Sequence, residues 1–174
     1  MRHRIMLAFA VAILAGPSLA ATVTAQVSLA TPAGPGAVVG KVAFEDTMAG
    51  AKISVDLHGL PPGEHGFHIH ANPSCDAGPV NGAVAPAGAA GGHYDPAMTK
   101  MHMGPDGAGH LGDLPFLSVG ADGSDTQTLT APHIKDVTQL AGHSVMIHAG
   151  GDNYSDQPKP LGGGGARIAC GVVR

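Results

Sequence analysis

Residues 91–113 place three histidines and an aspartate in one glycine-rich, proline-punctuated stretch. The four residues are His93, His102, His110 and Asp113. The stretch has almost no alternating apolar pattern, which predicts a long loop, and such loops are usually functional or disordered. Disorder is typical of high net charge, which this stretch lacks. Because three imidazoles and one carboxylate suit a tetrahedral zinc ion, we expect a zinc site here, with a solvated histidine-rich loop as the alternative.

A second pair of histidines, His68 and His70, lies in the segment HGFHIH, which predicts a strand. Successive side chains of a strand point to opposite faces, so these two imidazoles share one face and the apolar Phe67 and Ile69 share the other. This pattern favours a metal site over a surface pair. His65 has the opposite parity from His68, and we expect it to be a structural histidine bonded to the backbone.

A further strand is predicted in GHSVMIHAG, and its two histidines, His143 and His148, point to opposite faces by the same parity. Only one of them can therefore join a given site. We choose His148, because it adjoins Gly150-Gly151-Asp152 at the start of a second long loop, residues 150–165. The glycines of this loop are also typical of a flexible linker.

The other predicted elements are all short strands, at residues 37–45, 53–57, 114–119, 126–130 and 166–173. No segment has a convincing amphipathic helix period, an internal repeat or a phosphate-binding glycine loop. Short strands joined by turns and long loops predict an all-β protein, either an antiparallel sandwich or a barrel.

The N-terminal residues are typical of an export signal. A basic start and an apolar run that ends at Gly16-Pro17 precede small residues suited to cleavage after Ala20, or as late as residue 25. We therefore expect a signal peptide at residues 1–20 and one domain at residues 26–174. Without the two arginines of the signal, seven basic residues face 13 acidic ones, a net charge of about −6. This charge argues against nucleic acid and anionic membranes as partners.

Cys75 and Cys170 are the two cysteines of the chain. An even number of cysteines in an exported protein predicts one disulfide. A thiolate metal site is the alternative, and it is disfavoured because the chain lacks two closely spaced cysteines.

Six motifs, in order along residues 27–173, resemble the copper/zinc superoxide dismutase family and in particular its exported bacterial branch. They are GEHGFHIH, GGHYDP, GAGHLGDLP, IHAGGDN, SDQPKPLGGGG and R-x-A-C-G-V. The resemblance implies an eight-stranded Greek-key β-barrel or sandwich of immunoglobulin-like type, with two long functional loops. It also implies a periplasmic location and a monomer or a homodimer.

The resemblance implies one copper ion and one zinc ion per chain, with His93 bridging the two. The implied copper ligands are His68, His70, His93 and His148, and the implied zinc ligands are His93, His102, His110 and Asp113. Asp152 is implied to accept hydrogen bonds from one ligand of each metal, His68 and His102.

The resemblance further implies that Arg167 guides superoxide to the copper, so Arg167 and His93 are the candidate catalytic residues. Cys75 and Cys170 are implied to form the disulfide that ties a loop to the strand carrying Arg167. The implied reaction converts superoxide to oxygen and hydrogen peroxide at a copper that cycles in redox state, while zinc is structural.

The alternative function is an exported, non-enzymatic copper- and zinc-binding module on the same barrel. Such a module would have lost part of the site, most plausibly Arg167, His93 or a copper ligand, and all of these are present. A zinc hydrolase would need an open zinc position, which four protein ligands disfavour.

Five residues near the predicted site have no assigned role. Lys100 and Lys159 are candidates for steering superoxide, although solvated surface lysines are the favoured interpretation. Tyr94, Met101 and Met103 adjoin predicted ligands, and loop packing is the favoured role of the methionines over contact with a metal in transit.

Overall fold

The computed structural model describes residues 20–174, and residues 1–19 of the expected signal peptide lie outside the described residues. Three short 3₁₀ helices lie at Gly88–Ala90, Val137–Leu140 and Pro160–Gly163. Within residues 20–174, no helix is long and apolar enough to cross a membrane. The strands are β1 (Thr22–Thr31), β2 (Gly34–Thr47), β3 (Gly50–Leu57), β4 (Gly63–His65), β5 (Phe67–His70), β6 (Gly78–Val80), β7 (Ala83–Ala85), β8 (Leu117–Val119), β9 (Thr128–Ala131), β10 (Ser144–His148) and β11 (Arg167–Val172).

Seven strands form one antiparallel sheet, in the order β5-β10-β11-β1-β2-β3-β9. In addition, β4 pairs with β8, and β6 pairs with β7. Only Gly66 separates β4 from β5, so the two act as one strand interrupted at that residue. Counting them together, and leaving out the β6–β7 hairpin, gives the eight strands that the resemblance implies. The predicted all-β class is confirmed.

The core lies on one face of the sheet, because apolar residues alternate along the strands. In β1 the buried residues are Val23, Ala25 and Val27, and the residues between them are exposed. Phe44 of β2 and Phe67 of β5 are fully buried in the same cluster. Each such side chain stabilises the fold by about 1.5–3 kcal/mol relative to an exposed one, which compensates for the scarcity of aromatic residues.

Two neighbouring strands, β5 and β10, are buried on both faces. Phe67 and Ile69 of β5 belong to the core, as the parity of the strand predicts. His68 and His70 therefore occupy the opposite face, where the long loops cover them. In the antiparallel register His68 lies opposite Met146 of β10.

The strand predictions were incomplete in two places. The whole of β1 was missed, because its alternating residues directly follow the expected cleavage site and were not separated from the signal peptide. The β6–β7 hairpin was also missed, since each strand is only three residues long and its apolar pattern is too short to detect. The predicted strand at residues 114–119 is confined to Leu117–Val119. Residues 91–113 contain no helix or strand beyond isolated bridges, as predicted.

Candidate metal centre

Four histidines from two strands and one loop form the first cluster of the site. The ligand atoms of His68, His70, His93 and His148 all lie within 4.8 Å of one another, and all four were predicted from the sequence. Strands β5 and β10 supply three of them. The fourth, His93, lies in the loop and is placed beside His70 by an isolated antiparallel β-bridge. The parity argument therefore grouped the strand histidines correctly.

The two histidines that parity excluded lie outside this cluster. His65 Nδ1 lies 2.7 Å from the carbonyl oxygen of His148, and His65 Nε2 lies 2.8 Å from that of Pro61. His65 is thus a structural histidine, as expected. The Nδ1 atom of His143 lies 2.8 Å from the carbonyl oxygen of Ala71, and its ring packs on Tyr94 with ring centres 4.0 Å apart.

Each strand histidine is oriented by a hydrogen bond from its outward ring nitrogen. His70 Nδ1 lies 2.9 Å from the carbonyl oxygen of Gly91, and His148 Nδ1 lies 3.1 Å from that of Gly165. His68 instead uses Nε2, 2.7 Å from Asp152 Oδ2. These bonds place the proton on the outward nitrogen and leave the other nitrogen with a free lone pair, which is the arrangement that metal-binding histidines need.

The second cluster is centred on Asp113, the last residue of the predicted zinc loop. Its Oδ1 lies 2.9 Å from His93 Nδ1 and 3.2 Å from His110 Nδ1, and its Oδ2 lies 3.0 Å from His102 Nδ1. The four predicted zinc residues therefore converge, each offering one donor atom. The ligand atoms of His68, His93, His102 and Asp113 lie within 4.8 Å of one another, and His110 lies at the edge of this group.

Asp152 joins the two clusters. Its Oδ2 accepts from His68 Nε2 and its Oδ1 accepts from His102 Nε2, both at 2.7 Å. The backbone N–H of Tyr154 also donates to Asp152 Oδ1, at 2.8 Å. These are the contacts that the resemblance implied. They fix the ring orientation of one residue in each cluster through a single carboxylate.

The buried lone pairs fit a bound metal. Within residues 20–174, the buried His68 Nδ1 and His102 Nδ1 make no well-aligned hydrogen bond, although His102 Nδ1 lies 3.0 Å from Asp113 Oδ2. An unpartnered buried polar atom is costly, and both atoms point into clusters of other donor atoms. A cation at each cluster would satisfy both. All-imidazole coordination suits copper, and a set of imidazoles with one carboxylate suits zinc.

The electrostatics of the first cluster keep its imidazoles neutral. Burial, together with the neighbouring His93, lowers the pKa of His68 to about 3 and that of His148 to about 4. Burial likewise holds the pKa of His70 well below its ordinary value. A neutral imidazole is the form that binds a metal.

The second cluster instead stabilises positive charge. Burial lowers the pKa of His102, but the adjacent carboxylates of Asp113 and Asp152 outweigh burial and raise it to about 9. Burial raises the pKa of Asp113, yet the adjacent imidazoles of His102, His110 and His93 hold it far below its usual range. Because metal binding displaces protons from such ligands, a divalent cation can supply the positive charge that this cluster favours.

Arg167 lies beside the histidine cluster, opposite His148 in the pairing of β10 with β11. Its guanidinium donates to the carbonyl oxygen of Ala87 at 2.7 Å and to that of Gly91 at 2.6 Å. The loop that offers these carbonyls is tied to β11 by the disulfide between Cys75 and Cys170, whose Cα atoms are 5.7 Å apart. The predicted disulfide is confirmed, and the alternative of thiolate metal ligation is wrong.

A family model described as copper/zinc superoxide dismutase (SODC) matches residues 38–173. The chain belongs to the copper/zinc superoxide dismutase family. A copper–zinc superoxide dismutase of Brucella melitensis is 49% identical over 173 residues, which are 99% of each chain.

Two solved structures of superoxide dismutases are also similar to this chain. The copper/zinc enzyme from Brucella abortus has a TM-score of 0.86 and 51% identity, covering 88% of this chain and 100% of its own. The monomeric copper, zinc enzyme from Salmonella enterica has a TM-score of 0.77 and 51% identity, with the same coverage. The likeness confirms the superoxide dismutase fold that the motifs implied.

Sequence reasoning missed two features of the superoxide dismutase site. Asp156 ties the two long loops together, because its Oδ2 accepts from the N–H of His102 at 2.9 Å and its Oδ1 accepts from that of Leu161 at 3.2 Å. The second missed feature is the role of the glycine run at residues 162–165. A Cβ at Gly162 would overlap Asp152 Oδ1, and one at Gly164 would lie 3.0 Å from His148 Cγ. These glycines permit close approach to the site, so the interpretation as a flexible linker is wrong.

The residues left unassigned have clear positions in the structure. Tyr94 packs against His143, whereas Lys100 and Lys159 are exposed on the loops. Met101 and Met103 are about half exposed, and residues 107–109 pack against Met103, so loop packing stays the prediction for both methionines.

Proposed function

We propose that this protein converts superoxide to oxygen and hydrogen peroxide. One observation carries the proposal: in a member of this family, two buried donor clusters share His93 and are joined by Asp152. We assign copper to His68, His70, His93 and His148, and zinc to His93, His102, His110 and Asp113. When bound, copper supplies the one-electron redox change that dismutation requires, and zinc supplies fixed charge without redox change.

His93 has a double role in this proposal. Its Nδ1 atom faces Asp113 at 2.9 Å, so Nε2 is the ring nitrogen left for the histidine cluster. At Nε2 the residue can take up a proton in the half-reaction that releases oxygen. It can return that proton in the half-reaction that forms hydrogen peroxide. Proton transfer by a positioned imidazole is a common catalytic role.

Arg167 provides the positive charge that attracts the anionic substrate. The mature chain is net negative, so attraction of superoxide depends on local charge. Two carbonyl oxygens hold the guanidinium in place before substrate arrives, and a preorganised charge needs no rearrangement during the reaction. The steering role of Lys100 and Lys159 stays a prediction.

The decisive experiment combines metal analysis of the purified protein with a superoxide-consumption assay. We expect one copper and one zinc per chain, and superoxide loss well above that caused by free metal. Bound copper and zinc without such superoxide loss would overturn the enzyme and favour the non-enzymatic metal-binding module.

We propose that residues 1–20 direct export to the periplasm and that residues 26–174 belong to the functional domain. The disulfide supports an oxidising compartment, and the similar proteins of Brucella species support a bacterial exported enzyme. The pairing of Thr22 with Glu45 and of Ala25 with Val42 favours a cut after Ala20, because a later cut would remove paired residues of β1. N-terminal sequencing of the protein from a periplasmic fraction tests both points.

The monomeric Salmonella enterica structure supports a monomer for this chain, with the homodimer as the alternative. Light scattering of the purified protein distinguishes the two. The absence of nucleic-acid and membrane partners stays a prediction from charge.

A further inference from the structure

Three exposed methionines lie close together on the loop that carries the zinc residues. Met98 is 78% exposed, Met101 is 47% exposed and Met103 is 44% exposed. Within residues 20–174 the other two methionines are Met48, which is fully exposed on a turn, and Met146, which is buried. Single exposed apolar side chains are ordinary, but three in six residues form a cluster that core packing does not explain.

The backbone of this segment is fixed at each of three successive residues. The carbonyl oxygen of Met101 accepts from the N–H of His110 at 3.0 Å. The N–H of His102 donates to Asp156 at 2.9 Å, and the N–H of Met103 donates to Asp113 Oδ2 at 3.2 Å. His102 is only 2% exposed, so its ring faces the metal cluster while its two neighbours face outward. The thioethers of Met101 and Met103 are therefore presented on one side of a fixed backbone.

Met98 lies in a turn that Asp95 organises, three residues before Met101. The N–H of Met98 donates to the carbonyl oxygen of Asp95 at 3.1 Å, and the Asp95 carboxylate accepts from the N–H groups of Thr99 and Lys100 at 3.0 and 2.8 Å. The methionine side chain has three rotatable bonds, so three thioethers in this spacing can converge on one ion.

The backbone of residues 107–109 packs closely against the base of the Met103 side chain. Gly107 and Gly109 fold back against it, and a Cβ at Gly109 would lie 3.0 Å from the Cβ of Met103. Because both positions are glycine, the backbone can approach this closely and hold Met103 in place. The carboxylates of Asp95 and Asp156 border the segment, where they accept from the backbone N–H groups of Lys100 and His102.

We propose that Met98, Met101 and Met103 bind one Cu(I) ion on the outer face of the zinc loop. Thioethers are soft, neutral ligands that select Cu(I) over zinc and over harder cations. The nearby carboxylates balance the single positive charge of the ion. The site stands apart from the two buried clusters, which consist of imidazoles and carboxylate. Its role is to hold copper beside the ligands that take it up, and this role rests on the proposed function.

The test titrates Cu(I) into the reduced protein already loaded with copper and zinc, in competition with the chelator bicinchoninate. We expect one additional Cu(I) ion to bind to the wild-type chain. The triple variant Met98→Leu, Met101→Leu, Met103→Leu keeps the apolar volume but lacks the thioethers, and we expect it to lose the additional ion. Met48→Leu is the matched control, because it removes an exposed methionine elsewhere, and it should bind as the wild type does.

Two further readouts identify the ligands. A thioether carries no titrating proton, so binding should change little between about pH 7.5 and about pH 6, where free imidazole becomes protonated. X-ray absorption at the copper edge should gain sulfur scattering with the additional ion, and this gain should be absent from the triple variant. Unchanged copper and zinc content at the active site shows that the triple variant is folded.

Equal Cu(I) binding by the triple variant and the wild type would overturn the site, as would an additional ion without sulfur scattering. If the wild type binds no additional ion, the site is likewise overturned. Because the titration measures Cu(I) binding and not superoxide consumption, it can fail while the proposed enzymatic function stands. It can also succeed if the superoxide assay fails.

Discussion

In the proposed site, His93 connects the two donor clusters through the two nitrogens of one ring. Its Nδ1 faces Asp113, and its ring stacks on that of His68 with centres 4.0 Å apart. A single imidazole can therefore contribute to both sites, and no other residue of the described chain belongs to both proposed ligand sets. A substitution at this position should therefore alter copper binding and zinc binding together.

His93→Ala should alter the copper spectrum and loosen zinc in the same variant, because one ligand is removed from each ion. Electron paramagnetic resonance reports the copper environment, and competition with a chromogenic chelator reports zinc retention. His133→Ala is a suitable control, since His133 is exposed and outside both clusters. An unaltered copper spectrum in His93→Ala would show that His93 is not the bridge.

Arg167→Ala should lower kcat/KM for superoxide by about tenfold or more at low ionic strength, because the guanidinium supplies the local field that attracts the anion. Copper and zinc contents should stay the same, since Arg167 donates to carbonyl oxygens and not to the ligands. Stopped-flow measurement over a range of salt should show the difference between variant and wild type shrinking as salt screens the charge.

The variant Arg167→Lys separates the effect of the positive charge from the effect of the guanidinium geometry. Lysine keeps the charge but lacks the planar group that contacts both carbonyls, so an intermediate rate is expected. A rate and salt dependence in Arg167→Ala equal to those of the wild type would contradict the guiding role.

At the scale of elements, the second long loop closes over the site through glycines. Gly162 has φ +70°, a conformation that favours glycine, and a Cβ at this position would collide with Asp152 and lie 2.8 Å from His102 Nε2. The loop can approach the linking carboxylate closely only because this position has no side chain.

Gly162→Ala should displace Asp152 and weaken retention of both metals, since Asp152 orients a residue of each cluster. Gly59→Ala separates this effect from backbone strain. Gly59 has a nearly identical φ of +69° but no atom within 4 Å of its Cβ position. We expect Gly59→Ala to cost about 1 kcal/mol of stability with metal retention unchanged. Equal metal loss in the two variants would show that strain alone explains the effect.

The strands and loops also show what the sequence could and could not predict. Period-two alternation assigned His68 and His70 to one face, because parity depends only on neighbouring residues. The six motifs in order then implied the rest of the ligand set. The contacts of Asp156 and Gly162 were not predictable from local pattern, because they join two irregular loops whose backbone paths follow no period. The first strand was missed because its pattern adjoins the expected signal peptide.

At the scale of the whole molecule, the disulfide connects the sheet to the loop that positions Arg167. Cys170 lies on β11 three residues after Arg167, and Cys75 lies in the loop region that leads to the carbonyl groups of Ala87 and Gly91. The bond therefore constrains the chain over a sequence separation of 95 residues and also holds one wall of the site.

The double variant Cys75→Ser, Cys170→Ser should lose stability and activity for these two separate reasons. In the chain-entropy model, a loop of this length contributes up to about 5 kcal/mol, so the metal-free variant should unfold at clearly lower denaturant concentration. In the metal-loaded variant, kcat/KM should fall while metal content stays the same, because the carbonyls that hold Arg167 are freed. Ser74→Ala, beside Cys75, is the control and should change neither quantity. If the double variant matched the wild type in unfolding midpoint and in kcat/KM, the disulfide would have no part in stability or in positioning Arg167.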